Sequence, residues 1–374
     1  MLNLTSELWT LNLELCPYAC AVLTALIEQL NRAQALSADQ VRAAVELLAN
    51  EAVPVETKAD FLTALAGKGE TVEEIGAFAN ELRERSLPVP LDPATRRGEV
   101  LDVVGTGGDR LGTFNVSTCA AVVSAAAGVR VAKHGNRAVT SKTGSADVIE
   151  ALGIPLELTP GQVADQIREH GFAFIFAPRF HPAFRHIGPA RKRCAERGQR
   201  TIFNILGPLL NPARPSAALV GVPAPALCDP MARALRQLGV RRAMVVSGRV
   251  EAGTEGQPDY LDEFSTLGET VVVEFYEDRG LSVSSFNPDS LPLQRASLAD
   301  LRGGDRNDNA RIVRQVLAGE DRGPKRDAVL LNAGAALFVA NRVRSIAEGW
   351  QVAAEVIDRG DARRKLDELA GVSR

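Results

Sequence analysis

Between Leu101 and Gly153 the chain twice runs from a short apolar stretch into a loop of small residues and then into a helix-forming stretch. In the first pass Leu101, Val103 and Val104 read as a short buried strand. Gly105-Thr106-Gly107-Gly108-Asp109 follows as a turn with almost no side chains. Ser117 and Thr118 stand where a helix should begin, and CAAVVSAAAG carries that helix to a stop at Gly128. In the second pass Val129–Lys133 reads as the strand, Gly135–Gly144 as the loop, and a helix runs from near Ser145 to near Gly153. Such units build α/β layers. Each aims backbone N–H groups and the positive end of a helix at whatever fills its loop, which is how proteins hold phosphate. Two such cradles close together suit a ligand with phosphate at both ends.

The spacing excludes the commonest phosphate motifs. Arg110 stands where the dinucleotide fingerprint GxGxxG requires glycine, and no GxxxxGK[ST] occurs in the stretch. Lys133, His134, Arg137 and Lys142 surround the second loop and add positive charge there. From the residues alone the reading is a binder of a phosphorylated small molecule.

GTGGD, TFNVST, KHGNRAVTSKTGSADVIEALG and RTIFNILGPLLNP occur in that order. They resemble the signature segments of the anthranilate phosphoribosyltransferases, a likeness covering nearly the whole chain from about residue 25 onward. The resemblance implies transfer of phosphoribose from phosphoribosyl pyrophosphate (PRPP) to the amino group of anthranilate, in tryptophan synthesis. PRPP carries a 5-phosphate at one end and a pyrophosphate at the other. The implied fold is α/β with a small all-α N-terminal domain: the class IV phosphoribosyltransferase or nucleoside phosphorylase-like fold, a central sheet flanked by helices. Residues 1–90 would form the mainly helical domain, beside the active site and supplying the contact of a homodimer. Residues 98–374 would form the α/β phosphoribosyl-transfer domain.

The resemblance also assigns residues. Gly105, Gly108, Asp109, Thr113, Asn115, Val116, Ser117 and Thr118 match the PRPP-binding set of the first loop. Lys133, His134, Gly135, Asn136, Arg137, Ala138, Val139, Thr140, Ser141 and Ser145 match that of the second. Gly105, Asn136 and Arg191 match anthranilate contacts, Arg191 through the fork that a guanidinium offers a carboxylate. Asp262 and Glu263, with Ser117, match the ligands of two Mg²⁺ ions; carboxylate oxygen is the hard donor this ion prefers. His134 is the candidate for proton transfer. Two segments depart from the family pattern. RKRCAERGQR, around residues 193–199, is longer than expected, which leaves Arg193 as an alternative to Arg191. The polar loop at residues 249–260 is also long, and is expected to act as a flap.

The rest of the chain reads consistently with this. Residues 20–86 are all helix in pattern: Ser37-Ala-Asp-Gln40 and Thr71-Val-Glu-Glu74 are capping boxes, followed by apolar faces at Val41, Val45, Leu48 and at Ile75, Phe78, Leu82. Thr159 caps a helix with Pro160 at its first position, and Phe172–Phe176 is a compact aromatic strand. From Ala217 on, the strands AALVGV, AMVVSG and VVVEFY alternate with helices at 226–239 and 308–318. Asp327–Val343 reads as a buried helix and Ile346–Ala370 as one amphipathic helix.

Composition narrows the partners. Of 374 residues 43 are basic and 46 acidic, so neither nucleic acid nor an anionic membrane is favoured as a partner. No apolar run reaches membrane-spanning length, and MLNLTSELWTLNLELC lacks a basic leader, so a cytoplasmic protein is expected. The five cysteines are scattered; Cys16 and Cys20 have i,i+4 spacing without a second Cys/His pair nearby, which favours idle thiols over a metal site. Two other readings share parts of the pattern. A pyrimidine nucleoside phosphorylase has this fold, but its lysine-and-serine loop differs and it would leave Arg191 without a carboxylate. A non-catalytic nucleic-acid-binding relative should be basic and should lose the PRPP loops.

Overall fold

The computed structural model describes residues 20–137, 143–250 and 259–371. Residues 20–31 form α1, followed by α2 (Ala38–Ala49), α3 (Val55–Lys68) and α4 (Val72–Glu84). Both expected capping boxes are formed. The Ser37 hydroxyl accepts the Gln40 N–H, and the Thr71 hydroxyl accepts the Glu74 N–H. Glu74 returns a bond to the Thr71 N–H (2.8 Å), accepts the Leu36 N–H (2.9 Å) and pairs with Lys68 (2.7 Å). Its burial is therefore satisfied on every side. Val41, Val45 and Leu48 of α2, Phe61, Leu62 and Leu65 of α3, and Ile75, Phe78 and Leu82 of α4 make the core of this helical unit.

After α5 (Pro93–Arg97) the chain enters the α/β unit with β1 (Val100–Gly105), α6 (Val116–Ala126), β2 (Arg130–Gly135), α7 (Ser145–Ala151), α8 (Pro160–His170), β3 (Phe172–Phe176) and α9 (Ala177–Phe180). It then returns to the helical unit: His181–Leu210, containing α10 (Phe184–Glu196), belongs with the residues before Leu87. This departs from the expected division, which places everything after residue 98 in one domain. The cause is the apolar face of α10. Ile187, Ala190 and Cys194 are fully buried, and the Cys194 thiol reaches the Ala59 carbonyl of α3 (3.5 Å). Lys58, buried at 2% exposure, donates to the Asn50 carbonyl (2.7 Å) and to the His186 carbonyl of α10 (3.1 Å).

The remaining elements complete the α/β unit: β4 (Ala217–Gly221), α11 (Cys228–Gln237), β5 (Arg242–Val250), β6 (Asp259–Leu261), β7 (Thr270–Tyr276), β8 (Ser282–Phe286), α12 (Arg306–Leu317), α13 (Pro324–Val339), α14 (Ile346–Asp358) and α15 (Asp361–Leu369). The sheet order is β3-β2-β1-β4-β5-β7-β8, with β6 paired to β5. β3, β2, β1, β4 and β5 are parallel; β7 and β8 add antiparallel. From β1 the chain builds outward to β2 and β3, then crosses back to place β4 on the other side of β1. That makes the β1/β4 boundary a topological switch point, where open α/β sheets bind ligands beyond the carboxyl ends of their strands.

Side chains alternate between two cores. Leu101, Val103, Val131, Phe172 and Phe174 face α6, α13 and α14, whereas Val100, Ala132, Ala173 and Ile175 face Val163, Ala164 and Ile167 of α8. The segment Ile346–Ala370 is two helices rather than one, broken at Gly360 in the left-handed region (φ 74°).

α13 and α14 cross glycine against glycine. A Cβ on Gly349 would lie 2.4 Å from the Gly334 carbonyl oxygen. Helix propensity alone predicts that Gly349→Ala stabilises by about 1 kcal/mol. A backbone atom at that distance cannot move aside cheaply, and overpacking costs roughly 1–3 kcal/mol, so the clash should win. Urea unfolding followed through Trp350 fluorescence should show a lower midpoint; a raised one refutes the crossing.

Candidate active site

β1 opens at its carboxyl end into the first glycine loop. Gly107 (φ 73°) and Gly108 (φ 84°) both take left-handed backbone, which suits glycine and lets the loop turn tightly. The Thr106 N–H still pairs with the Gly221 carbonyl of β4 (2.9 Å), so the loop leaves the sheet only at Gly107. α6 begins one residue earlier than the sequence suggests. Asn115 is its N-cap and makes no side-chain cap bond, while Ser117 and Thr118 lie in the first turn and do not cap it.

The Asp262–Glu263 pair sits directly over this loop. Three strand glycines make the approach feasible. A Cβ on Gly105 of β1 would lie 2.2 Å from Asp262 Oδ2, one on Gly221 of β4 would lie 1.5 Å from the Asp262 carbonyl oxygen, and one on Gly248 of β5 would lie 2.5 Å from the Glu263 carbonyl oxygen. Behind the pair, buried Asn332 of α13 accepts from the Phe264 N–H and donates to the Phe264 carbonyl, both at 3.0 Å. The Ser265 hydroxyl donates to the Arg249 carbonyl (2.7 Å). The two carboxylates thus point at the loop donors: Asp262 Oδ2 accepts the Gly107 N–H (2.6 Å) and Glu263 Oε1 accepts the Ser117 N–H (3.2 Å).

Carboxyl groups are concentrated here, and burial together with their proximity disfavours their charged forms. Burial, and then the adjacent Asp109 carboxyl, push Asp262 up to about 7. Burial and the Asp262 charge hold Glu263 well above the ordinary carboxyl range, and burial also raises Asp109. The compensating cation is Lys133, at 1% exposure. Its ammonium donates to the Val103 carbonyl (2.6 Å) and the Ser117 hydroxyl (3.3 Å), beneath the first loop and not out toward the second. Burial draws its pKa down against the pull of Asp102 and Glu263. Asp102 is buried too, pushed up to about 6 by desolvation, and accepts from Asn211 (2.8 Å) and the His134 N–H (3.3 Å).

β2 lies beside β1 in parallel, so the second loop emerges next to the first. Gly135 is required by contact, since a Cβ there would lie 2.4 Å from Ser145 Oγ. The Asn136 carbonyl accepts the Ala146 N–H (3.2 Å) and the Ser145 hydroxyl (3.5 Å), closing the loop onto α7. Arg137 turns to Asp147 (2.9 Å) and Glu150 (3.0 Å). His134 is buried at 4% exposure, and Thr113 and Asn115 are half-buried. Ala138, Val139, Thr140, Ser141 and Lys142 lie outside the described residues, as do most of the expected flap (251–258) and Cys16.

In the helical unit the structure separates the two candidate arginines. Arg193 is exposed and pairs with Glu56 (2.6 Å), as does Arg197 (2.8 Å). The Arg191 guanidinium lies against the rings of Phe203 (5.2 Å) and Phe184 (6.0 Å), which themselves pack edge to face. Burial alone lowers its pKa, and no acid pairs with it among the described residues. A desolvated guanidinium of this kind is a ready partner for a planar carboxylate. Sequence reasoning missed Asn332, Asn211 and the glycines of β4 and β5, whose roles depend on contacts between distant segments.

Comparison with known proteins gives a consistent picture. The glycosyl transferase family a/b domain matches residues 97–363, and the family's helical bundle domain matches residues 24–86. The chain is 44% identical over 343 residues to anthranilate phosphoribosyltransferase of Petrotoga mobilis, covering 92% of this chain and 94% of the relative. It is 48% identical over 346 residues to that of Symbiobacterium thermophilum, covering 92% and 96%. The crystal structure of the Thermus thermophilus enzyme superposes with a TM-score of 0.81 at 41% identity, covering 93% of this chain and 98% of that one. The Saccharomyces cerevisiae enzyme in complex with PRPP and Mg gives 0.82 at 28% identity, covering 94% and 98%.

The electrostatics generate a prediction that needs no ligand. Lys133→Met keeps the length and apolar stem of the side chain but leaves Asp102 and Glu263 without their buried cation. It also leaves the Val103 carbonyl and the Ser117 hydroxyl without their buried donor, and an unsatisfied buried polar group costs about 1–3 kcal/mol, more where charge is involved. The variant should unfold at correspondingly lower urea concentration at pH 7; wild-type stability would show that Lys133 does not neutralise the cluster.

Proposed function

The chain belongs to the anthranilate phosphoribosyltransferase family of glycosyl transferases, and from that premise we propose that it transfers the 5-phosphoribosyl group of PRPP to the amino group of anthranilate. The observation that carries the reading is the pair of adjacent loops at the carboxyl ends of β1 and β2, the first of them faced by Asp262 and Glu263. In the reaction the anthranilate nitrogen bonds to ribose C1, the C1–O bond to pyrophosphate breaks, and the nitrogen loses a proton. Positive charge grows on the ribose and negative charge on the leaving group, so the site must hold the separated charges and exclude water.

The Gly107 and Ser117 N–H groups, which bind carboxylate oxygen in this structure, are donors of the kind phosphate oxygen takes. Gly105, Gly108, Asp109, Thr113, Asn115, Val116, Thr118, Asn136 and Ser145, with the rest of the second loop, complete the proposed PRPP-binding surface. The buried position of Lys133 suits support of Ser117 from below. Anthranilate is a nucleophile when its amine is neutral, so holding it in line supplies much of the rate. The burial of His134 suits a structural part. Arg191 receives the anthranilate carboxylate in this reading; having no acidic partner among the described residues, it is favoured over Arg193. Gly105 and Asn136 are proposed as anthranilate contacts on the family resemblance alone.

Mg²⁺ is proposed at Asp262, Glu263 and Ser117, with the count of two ions resting on the family resemblance. The residues fit. No group of three or more His, Cys, Asp and Glu forms a metal cage among the described residues, and Mg²⁺ is commonly bound through one or two carboxylates plus substrate phosphates. The clustered carboxylates supply those hard donors. When bound, the metal acts as a Lewis acid that neutralises the departing pyrophosphate. A cytoplasmic homodimer joined through the helical unit is proposed on the same resemblance. No helix among the described residues is long and apolar enough to cross a membrane.

A fluorescence assay of anthranilate consumption with PRPP and Mg²⁺ tests the reading, and no consumption would end it. Replacing both Asp262 and Glu263 by Ala should abolish turnover, since the lost Lewis-acid contacts account for several kcal/mol. Normal turnover with an unchanged Mg²⁺ requirement would remove the carboxylates from the mechanism.

Arg191→Ala should raise the KM for anthranilate about tenfold to a hundredfold, because charge-assisted hydrogen bonds contribute roughly 1.5–3 kcal/mol each. The KM for PRPP should hardly change. Arg193→Ala should leave both constants near wild type, since it breaks only exposed pairs with Glu56 and Glu196. A selective effect at Arg193 instead would move the acceptor contact there.

A further inference from the structure

Leu301, Arg302, Gly303 and Gly304, just before α12, form no part of any phosphate motif, yet they lie against both glycine loops. The Leu301 carbonyl accepts the Phe114 N–H (3.0 Å), and the Gly303 N–H donates to the Gly112 carbonyl (2.9 Å). Thr113 and Arg302 form an isolated antiparallel bridge. The Gly304 carbonyl accepts the Thr143 hydroxyl (3.0 Å), which ends the second loop. Glycine is needed at 303, where a Cβ would lie 2.5 Å from Asn309 Oδ1 and 3.0 Å from Phe114 Cα.

Asn309, in the first turn of α12 and 2% exposed, sits over this segment. The backbone N–H of Gly304 donates to its side chain at 2.8 Å, and a backbone donor requires an oxygen there. That fixes the amide: Oδ1 faces Gly304, and Nδ2 must be the atom directed at Asn115, 3.1 Å away. Nδ2 only donates, so Asn115 must present its own Oδ1. The Asn115 amide group, with two N–H donors, is left for the other side. A second observation agrees. An asparagine at a helix N-cap ordinarily uses its oxygen to accept a first-turn N–H, and Asn115 makes no such bond.

We propose that Asn309 is a positioning residue for PRPP: through Gly304 it sets the side-chain amide of Asn115 so that donors, not an acceptor, meet a phosphate oxygen of the substrate. The inference rests on the transferase reading above. A chain of three groups transmits the fixed polarity of one backbone N–H into the loop. Asn309 itself touches no substrate.

Asn309→Asp is the sharpest test. The aspartate still accepts from Gly304, but its second oxygen now faces Asn115, which must flip and turn its carbonyl toward the phosphate. The KM for PRPP and its dissociation constant by calorimetry with Mg²⁺ should rise tenfold or more, while the KM for anthranilate at saturating PRPP stays within twofold. Asn309→Ala, which adds no buried charge, should raise the PRPP constants severalfold. In an Asn115→Ala background, Asn309→Asp should add little, because the group it acts through is gone. Unchanged PRPP constants in both single variants overturn the proposal, as does an equal further rise in the double variant. A wild-type protein that consumes no anthranilate with PRPP overturns the transferase reading, and this inference with it; a working wild type with indifferent Asn309 variants overturns the inference alone.

Discussion

The site depends on how closely the Asp262–Glu263 turn lies on the ends of three neighbouring strands. Gly105, Gly221 and Gly248 leave no side chain between that turn and the sheet. Because β1 and β4 flank the point where strand order reverses, the carboxylates are held at the kind of switch point where open α/β sheets take ligands. Asn332, from a helix buried on nearly all sides, fixes the turn from behind through both polar groups of Phe264. The catalytic carboxylates of the proposed mechanism are thus set by backbone contact more than by side-chain packing.

That placement has an electrostatic consequence. Three carboxyl groups, Asp109, Asp262 and Glu263, share a small volume in which burial penalises their charged forms. Lys133 offsets part of the charge from within the sheet and ties Ser117 to the end of β1. The surplus that remains is a liability for the free protein and an asset for a ligand that brings cations with it. Sites that carry such unfavourable charge are common in enzymes, where function and stability pull in different directions.

The helical unit follows another logic. Its core is an ordinary set of interlocking apolar faces, closed by two capping boxes and the buried Glu74–Lys68 pair. Into it the chain returns with α10, held by Ile187, Ala190, Cys194 and the bond from Lys58 to the His186 carbonyl. Within the unit this return sets Arg191 against the rings of Phe203 and Phe184 with no acidic partner among the described residues, while its neighbours Arg193 and Arg197 are taken up by Glu56.

Local chemistry made much of this legible in the sequence. Capping boxes, the aromatic strand Phe172–Phe176 and the glycines of GTGGD act within a few residues, so their readings needed no partner. Several other features follow from contacts distant in the chain and were not readable. β8 is polar and exposed on its side chains, and is a strand because β7 offers it a backbone ladder. Ser117 and Thr118 have the composition of helix caps, but Asn115 takes that position as the loop is drawn toward Leu301 and Gly303. Lys133 ends the expected strand Val129–Lys133 and reads in the sequence as charge beside the second loop, but strand alternation turns it inward beneath β1. The sequence by itself determined which loops have the backbone freedom that an anion cradle needs, because that freedom is a property of the residues that form them. Tertiary structure alone decided which side chains face those loops, because that depends on strand order and on where a glycine lets two distant backbones touch.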